Sequence, residues 1–203
     1  MELNIDTPRG PARAHLQLAD GSRAALVLGH GAGGGIAAPD LVAAAGAAIA
    51  QGVSVALVEQ PYRVAGRKAP GPAARLDEAW CAVIAHLLMG ELSDHRLIAG
   101  GRSMGARVAC RTAAETRAVG VLCLAFPLLP PQRRGAKPPP SRISELEAVP
   151  VPTLIVQGEN DPFGLPPPGA DRQVVQLKGD HSLRADPAGV REAVGSWLAN
   201  LLS

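Results

Sequence analysis

Aromatic side chains are scarce in this 203-residue chain, which has two Phe, two Trp and one Tyr. Five rings leave little material for the stacking platforms that hold single-stranded nucleic acid. An excess of charge of one sign is also missing. Twenty basic residues face 18 acidic ones for a formal net charge of +2, too even a balance for the basic footprint that nucleic-acid or anionic-membrane binding needs. Lysine is rare within the basic set, with Lys68, Lys137 and Lys178 standing against 17 arginines. Cysteine is limited to Cys81, Cys110 and Cys123. Three scattered thiols in apolar sequence contexts exclude a disulfide frame or a cysteine zinc site and predict buried thiols in a reducing compartment. Apolar runs are short: Leu41 to Ala50 is the longest, far below the ~18 residues of a membrane span. The first ten residues carry Glu2 and Asp6 and no apolar core, which predicts no secretory signal and a cytoplasmic protein. A small-molecule partner is the remaining expectation.

Glycine and proline, by contrast, are plentiful at 23 and 19 residues, though their share stays below the roughly 25% at which low-complexity disorder sets in. The length suits one full-sized domain with a core of its own. Short apolar runs alternate with helical spacing along the chain. Strands are predicted at Ala24–Gly29, Val53–Val58, Arg96–Gly100, Val119–Phe126, Thr153–Gln157 and Gln173–Leu177. Helices are predicted at Pro39–Gln51, Gly71–Met89, Met104–Thr116 and Pro187–Leu201. Strands that are apolar throughout and separated by helices define an α/β, doubly wound, mostly parallel sheet covered on both faces. Ala14–Leu18 alternates in polarity and is expected as an antiparallel edge strand. Between Pro127 and Pro152 lie eight prolines together with Arg133, Arg134, Lys137 and Arg142. This segment reads as an exposed loop or a partial lid.

Chemistry concentrates where strands end. Gly101-Arg102-Ser103-Met104-Gly105 stands between a predicted strand and a predicted helix. A serine on so sharp a turn adopts strained backbone angles, and glycines two residues to either side let the neighbouring elements approach. Of nine serines only Ser103 is flanked in this way. A hydroxyl is a poor nucleophile without a base. Among the five histidines, His86 falls inside a helix, His95 at the far edge of a strand and His15 on the outlying strand. His30 follows the first core strand, where bracing of a loop is expected. His181, in Gly179-Asp180-His181, falls between the last strand and the last helix, at the edge that carries Ser103. Its orienting carboxylate is expected from Asp161, which precedes Pro162 after the Thr153–Gln157 strand; Glu159 is the competitor, and Asp180 is expected to point elsewhere. The order Ser103, Asp161, His181 is that of an α/β-hydrolase triad. Oxyanion donors are expected from the N–H of Met104, at a helix start, and of Ala32, in the run His30-Gly31-Ala32-Gly33-Gly34-Gly35. That run lacks the following Lys-Ser/Thr of a phosphate cradle.

Together these pieces resemble the α/β-hydrolase superfamily, specifically its small branches without a cap: the dienelactone-hydrolase-like proteins and the branch named after a testis-expressed protein. The motifs are His30-Gly31-Ala32-Gly33, Gly101 to Arg107, Phe126-Pro127-Leu128, Gln157-Gly158 with Asp161 to Gly164, and Gly179-Asp180-His181. The resemblance implies a serine hydrolase of esters or related acyl compounds, with Ser103, Asp161 and His181 catalytic, Ala32 and Met104 forming the oxyanion hole, and no metal or organic cofactor. Dienelactone hydrolases use cysteine where Ser103 stands, so their substrate does not carry over. An acyltransferase or thioesterase would share every residue named, and an interaction module on the same fold is the alternative from another class. At this length no separate cap domain is expected.

Overall fold

A computed structural model describes residues 1–131 and 139–203. Eight strands form one sheet: β1 (Glu2–Ile5), β2 (Ala12–Gln17), β3 (Ala24–Gly29), β4 (Ser54–Glu59), β5 (Arg96–Arg102), β6 (Gly120–Leu124), β7 (Thr153–Gly158) and β8 (Arg172–Leu177). Their spatial order is β1-β2-β4-β3-β5-β6-β7-β8. The β1–β2 and β2–β4 pairs are antiparallel and all others parallel. The predicted doubly wound α/β class is therefore present. Six helices accompany the sheet: α1 (Pro39–Ala50), α2 (Pro61–Val64), α3 (Ala73–Met89), α4 (Met104–Thr112), α5 (Ile143–Glu147) and α6 (Pro187–Leu202).

Local sequence accounts for these elements. Every residue of β3, β6 and β7 is buried, as continuous apolar strands under helices on both faces must be. Alternation splits β3 between two cores. Ala25 and Val27 pack with Trp80, Ile84, Val108 and Phe126 beneath α3 and α4, while Leu26 and Leu28 pack with Leu41, Ala44, Val194 and Trp197 beneath α1 and α6. The α3 stripe Leu76, Ala79, Trp80, Val83, Ile84 and Leu87 is buried and ends at Gly90, as the 3.6-residue period requires. Helix α6 begins with Pro187 in its first turn and Asp186 as cap, whose carboxylate accepts from the Gly189 N–H at 2.8 Å and satisfies an otherwise orphaned donor.

Three expectations need correction. The segment expected as an edge strand is β2, and it is antiparallel, but it lies inside the sheet. The edge belongs to β1, which pairs Glu2 with His15 and Ile5 with Ala12. Leu3 and Ile5 turn inward and Glu2 and Asn4 outward in the proper strand period, but the strand is only four residues long. Pro127–Pro152 is not loop throughout: α5 buries Leu146 beside α4, and the Arg142 N–H donates to the Leu128 carbonyl at 2.8 Å. Arg133, Arg134 and Lys137 lie outside the described residues. The cysteines are not all separate or all buried. Cys110 on α4 and Cys123 on β6 place their sulfurs 3.4 Å apart, and Cys81 is half-buried with its thiol pushed up to about 12 by burial and by a hydrogen bond to Glu115. Among the described residues, no helix is long and apolar enough to cross a membrane.

Trp80 is the largest fully buried side chain, and its ring lies where a Cβ on Gly29 would stand 3.3 Å away. Trp80→Ala is expected to cost about 3–5 kcal/mol through the cavity it leaves. At roughly 2–4 °C per kcal/mol for this size, thermal unfolding should fall by about 6–20 °C. Trp80→Phe should lose less than half as much, since the indole N–H has no hydrogen-bond partner among the described residues.

Candidate active site

The β5–α4 turn sets the site. Gly101 is the next-to-last residue of β5 and Gly105 the second of α4, and both lie against the end of β3. A Cβ on Gly101 would stand 2.5 Å from the Gly29 carbonyl oxygen and 2.7 Å from the Gly105 carbonyl carbon, and one on Gly105 would collide with the Gly29 carbonyl. Only glycine permits this approach. Between them Ser103 adopts φ 52° and ψ −105°, a left-handed φ that costs a non-glycine residue of order 1–3 kcal/mol. Its N–H donates to the Leu124 carbonyl at 2.8 Å and its carbonyl accepts from the Arg107 N–H at 3.2 Å. The turn is thus tied to β6 on one side and continues into α4 on the other.

Two further loops converge on it. His181 Nε2 lies 2.9 Å from Ser103 Oγ, and His181 Nδ1 lies 2.7 Å from Asp161 Oδ2. Such a line requires the tautomer that carries its proton on Nδ1, leaving Nε2 to accept from the serine hydroxyl. The Asp161 side chain is fully buried. Its Oδ1 accepts from the Phe163 N–H at 2.8 Å and its Oδ2 from Gln157 Nε2 at 2.8 Å, which satisfies a carboxylate that burial would otherwise penalise. The Phe163 ring packs edge-on against the imidazole, with centroids 4.5 Å apart. Gly158 brings the two loops together, because a Cβ there would strike the Asp180 carbonyl. Glu159, the competing carboxylate, is exposed. Asp180 turns to Ser182, accepting from its N–H at 2.9 Å and its hydroxyl at 2.6 Å, and these hydrogen bonds hold its carboxyl below the ordinary aspartate range.

The expected oxyanion donors border the same cleft. Ala32 and Met104 line it together with Ser103 and His181. Neither N–H has a hydrogen-bond partner among the described residues, and that of Met104 is the first of α4, where the helix dipole adds positive potential. The Ala32 carbonyl accepts from the Tyr62 hydroxyl at 2.9 Å, which pins the loop from α2. Burial pushes the Tyr62 hydroxyl up to about 12, against the opposing charge of the neighbouring Arg63. His30 braces the loop from beneath. Its Nδ1 lies 2.8 Å from the Gly31 carbonyl, and its Nε2 accepts from the Gln60 N–H at 3.1 Å. The other histidines stand apart: His15 contacts Glu59 and His95 contacts Ser54, and His86 is exposed on α3.

Several residues at the site are given no role by the sequence, although Arg102 and Gln157 fall inside its motifs. The Arg102 guanidinium donates to the His181 carbonyl at 3.0 Å and pairs with the buried Asp40, 2.9 Å away, at the start of α1. It fastens the histidine loop to the nucleophile strand. Burial raises the Asp40 carboxyl and Arg102 opposes that rise. Gln157 Nε2 also contacts the carbonyls of Phe126 and Gly164, at 3.1 and 3.0 Å. The cleft has a volume of about 400 Å³ and takes in Arg107, Arg111 and Arg142 as well.

The profile of a family described as an alpha/beta hydrolase domain matches residues 22–187, and the chain belongs to that family. The comparison with curated proteins returns no match. Similar solved structures include an alpha-beta serine hydrolase homologue from Coxiella burnetii, with 16% identity, a TM-score of 0.77 and coverage of 98% of this chain and 97% of that one. A serine hydrolase without lid from Xanthomonas campestris has 18% identity, a TM-score of 0.75 and coverage of 98% and 94%. An esterase from Pyrococcus furiosus has 15% identity, a TM-score of 0.78 and coverage of 98% and 89%. At these identities the likeness is one of fold.

His30 makes the site's support sensitive to acid. Its burial lowers the imidazole from 6.5, so an unfolded chain takes up a proton there that the folded one refuses. Stability should therefore be full above the unfolded value and decline as pH falls through it. Chemical denaturation at pH 7.5 and pH 5.5 is expected to show a lower unfolding free energy at the acidic value, and His30→Asn should show a smaller difference between the two.

Proposed function

We propose that the protein is a serine hydrolase that cleaves a small carboxylic ester or related acyl substrate through an acyl-enzyme. The observation that carries this reading is the hydrogen-bonded line Ser103–His181–Asp161, which opens on a cleft bordered by two unengaged N–H groups. In the first step Ser103 Oγ attacks the acyl carbonyl while His181 Nε2 takes the hydroxyl proton. Negative charge then develops on the carbonyl oxygen and is met by the Met104 and Ala32 N–H groups. The imidazolium returns its proton to the departing alcohol, and Asp161 holds the ring in place throughout. Water then repeats the sequence on the acyl-enzyme with His181 again as base, releasing the acid and restoring Ser103. No step calls on a metal or an organic cofactor.

The cleft is open. Pro127 and Pro131 border it, and this part of the Pro127–Pro152 segment serves as a rim or partial lid over one domain spanning the chain. Of the five aromatic residues, Phe163 alone lines the cleft, beside aliphatic and small groups such as Leu76, Ala73 and Gly71. A short acyl chain fits such walls better than a flat ring system.

Ser103→Ala is expected to abolish labelling by a fluorophosphonate and hydrolysis of p-nitrophenyl esters; labelling that persists in this variant would exclude Ser103 as nucleophile. The two acidic residues of the β7 loop separate by role. Asp161→Asn should lower kcat by about 10³–10⁴-fold, because the amide favours the wrong imidazole tautomer, while Glu159→Gln should stay within about threefold of the parent. Equal losses in the two would remove the assignment of Asp161.

A further inference from the structure

The walls of the cleft carry an uneven charge. Arg102, Arg107, Arg111 and Arg142 line it, and no aspartate or glutamate does. Three of these cations are matched from behind. Arg102 pairs with Asp40. Arg107 makes a two-pronged contact to Glu145, at 2.9 and 2.6 Å, and Arg111 makes another to Asp77, at 2.8 and 2.6 Å, with Glu145 also within 3.4 Å. Arg142 differs. Its guanidinium donates to the Pro127 carbonyl at 2.9 Å, and among the described residues it forms no ion pair with a carboxylate. The group is half-buried, and both burial and the adjacent Arg107 disfavour its charge. A guanidinium nevertheless stays protonated. Among the described residues, one positive charge at the cleft wall is therefore left for something that enters from outside.

Its position relative to the nucleophile follows from helix geometry. Arg107 and Arg111 stand four residues apart on α4 and so share one face of it, one turn after another, and Ser103 caps the start of that helix. The rise of 1.5 Å per residue sets Arg107 and Arg111 about 6 and 12 Å from Ser103 along the axis. Arg142 precedes α5, whose Glu145 is gripped by both Arg107 and Arg111, which places its guanidinium beside this pair.

Resting on the serine hydrolase reading above, we infer that the acyl group of the substrate carries a carboxylate at its far end, bound by Arg142 in the arginine cluster beside Ser103. The substrate class is a monoester of a dicarboxylic acid, with four to six methylene groups between the scissile carbonyl and the free carboxylate. Glu145 and Asp77 hold Arg107 and Arg111 in place and offset their charge, so the described residues of the wall offer one unmatched positive charge.

The test compares the p-nitrophenyl monoesters of adipic and suberic acid with p-nitrophenyl hexanoate and octanoate, which match them in carbon count and lack the charge. A charge-assisted contact predicts kcat/KM higher by about 10–100-fold for the charged member of each pair, with an advantage that shrinks as salt is added. In Arg142→Gln the charged-to-neutral ratio should collapse towards one, and Arg142→Lys should restore part of it. A ratio near one in the parent protein, or one unchanged in Arg142→Gln, overturns the inference. A readout independent of turnover is calorimetric titration of monomethyl adipate into Ser103→Ala. Binding that is lost in Ser103→Ala/Arg142→Gln supports the carboxylate subsite even if no ester is cleaved, in which case the hydrolase reading fails alone; no binding to Ser103→Ala overturns the subsite.

Discussion

The contact between the first turn of α4 and the carboxyl end of β3 is the constraint on which the remaining geometry depends. Two glycine positions, Gly101 and Gly105, bring a helix start against the Gly29 carbonyl where any Cβ would intrude. That closeness forces the chain through a turn in which Ser103 takes a left-handed φ, and the Met104 N–H that follows it, at the border of the cleft, has no hydrogen-bond partner among the described residues. The strain is small beside the burial of the surrounding strands. It is held by the Ser103 N–H to Leu124 hydrogen bond and by the apolar packing of α4, whose Val108, Ala109 and Cys110 are buried.

Around that turn the molecule spends its buried polar groups on orientation. Asp161 is fully buried as a carboxylate, yet each oxygen has a donor: Phe163 on one side, Gln157 and His181 on the other. A charge in that position is costly unless each of its lone pairs is met. Meeting them with groups from β7, the β7 loop and the β8 loop fixes the imidazole in a single plane. The loop from His30 to Gly35 is treated similarly, with His30 beneath it and Tyr62 across it.

Much of this was legible in the sequence because the chemistry imposes local patterns. A strained serine turn needs glycine at fixed offsets, so Ser103 announces itself within five residues. Asp161 and His181 are legible through the sheet: once β7 and β8 are recognised as parallel strands, residues just beyond their ends must share an edge with Ser103. The strand β1 was not legible because it is short: Leu3 and Ile5 alternate with Glu2 and Asn4 and Ile5 is buried, but four residues give too little of a period to stand out. Side-chain bridges were hidden for another reason. Arg102 meets the loop of His181 across 79 positions, and Gln157 meets Phe126 across 31; neither partner is written near the other. The short helix α5 escaped as well, because prolines on both sides of it made the whole segment read as loop.

The Arg102 bridge also bears on how sequences of this kind can drift. A Cβ at Gly31 would stand 2.8 Å from an Arg102 guanidinium nitrogen, with its next neighbours at 3.6 and 3.7 Å. The space at position 31 is therefore reserved for a side chain that belongs to position 102, and the same guanidinium is what neutralises Asp40. Positions 31, 40 and 102 are thus physically coupled. Shortening the side chain at 102 would open room for a Cβ at 31 and would leave the acid at 40 without its cation.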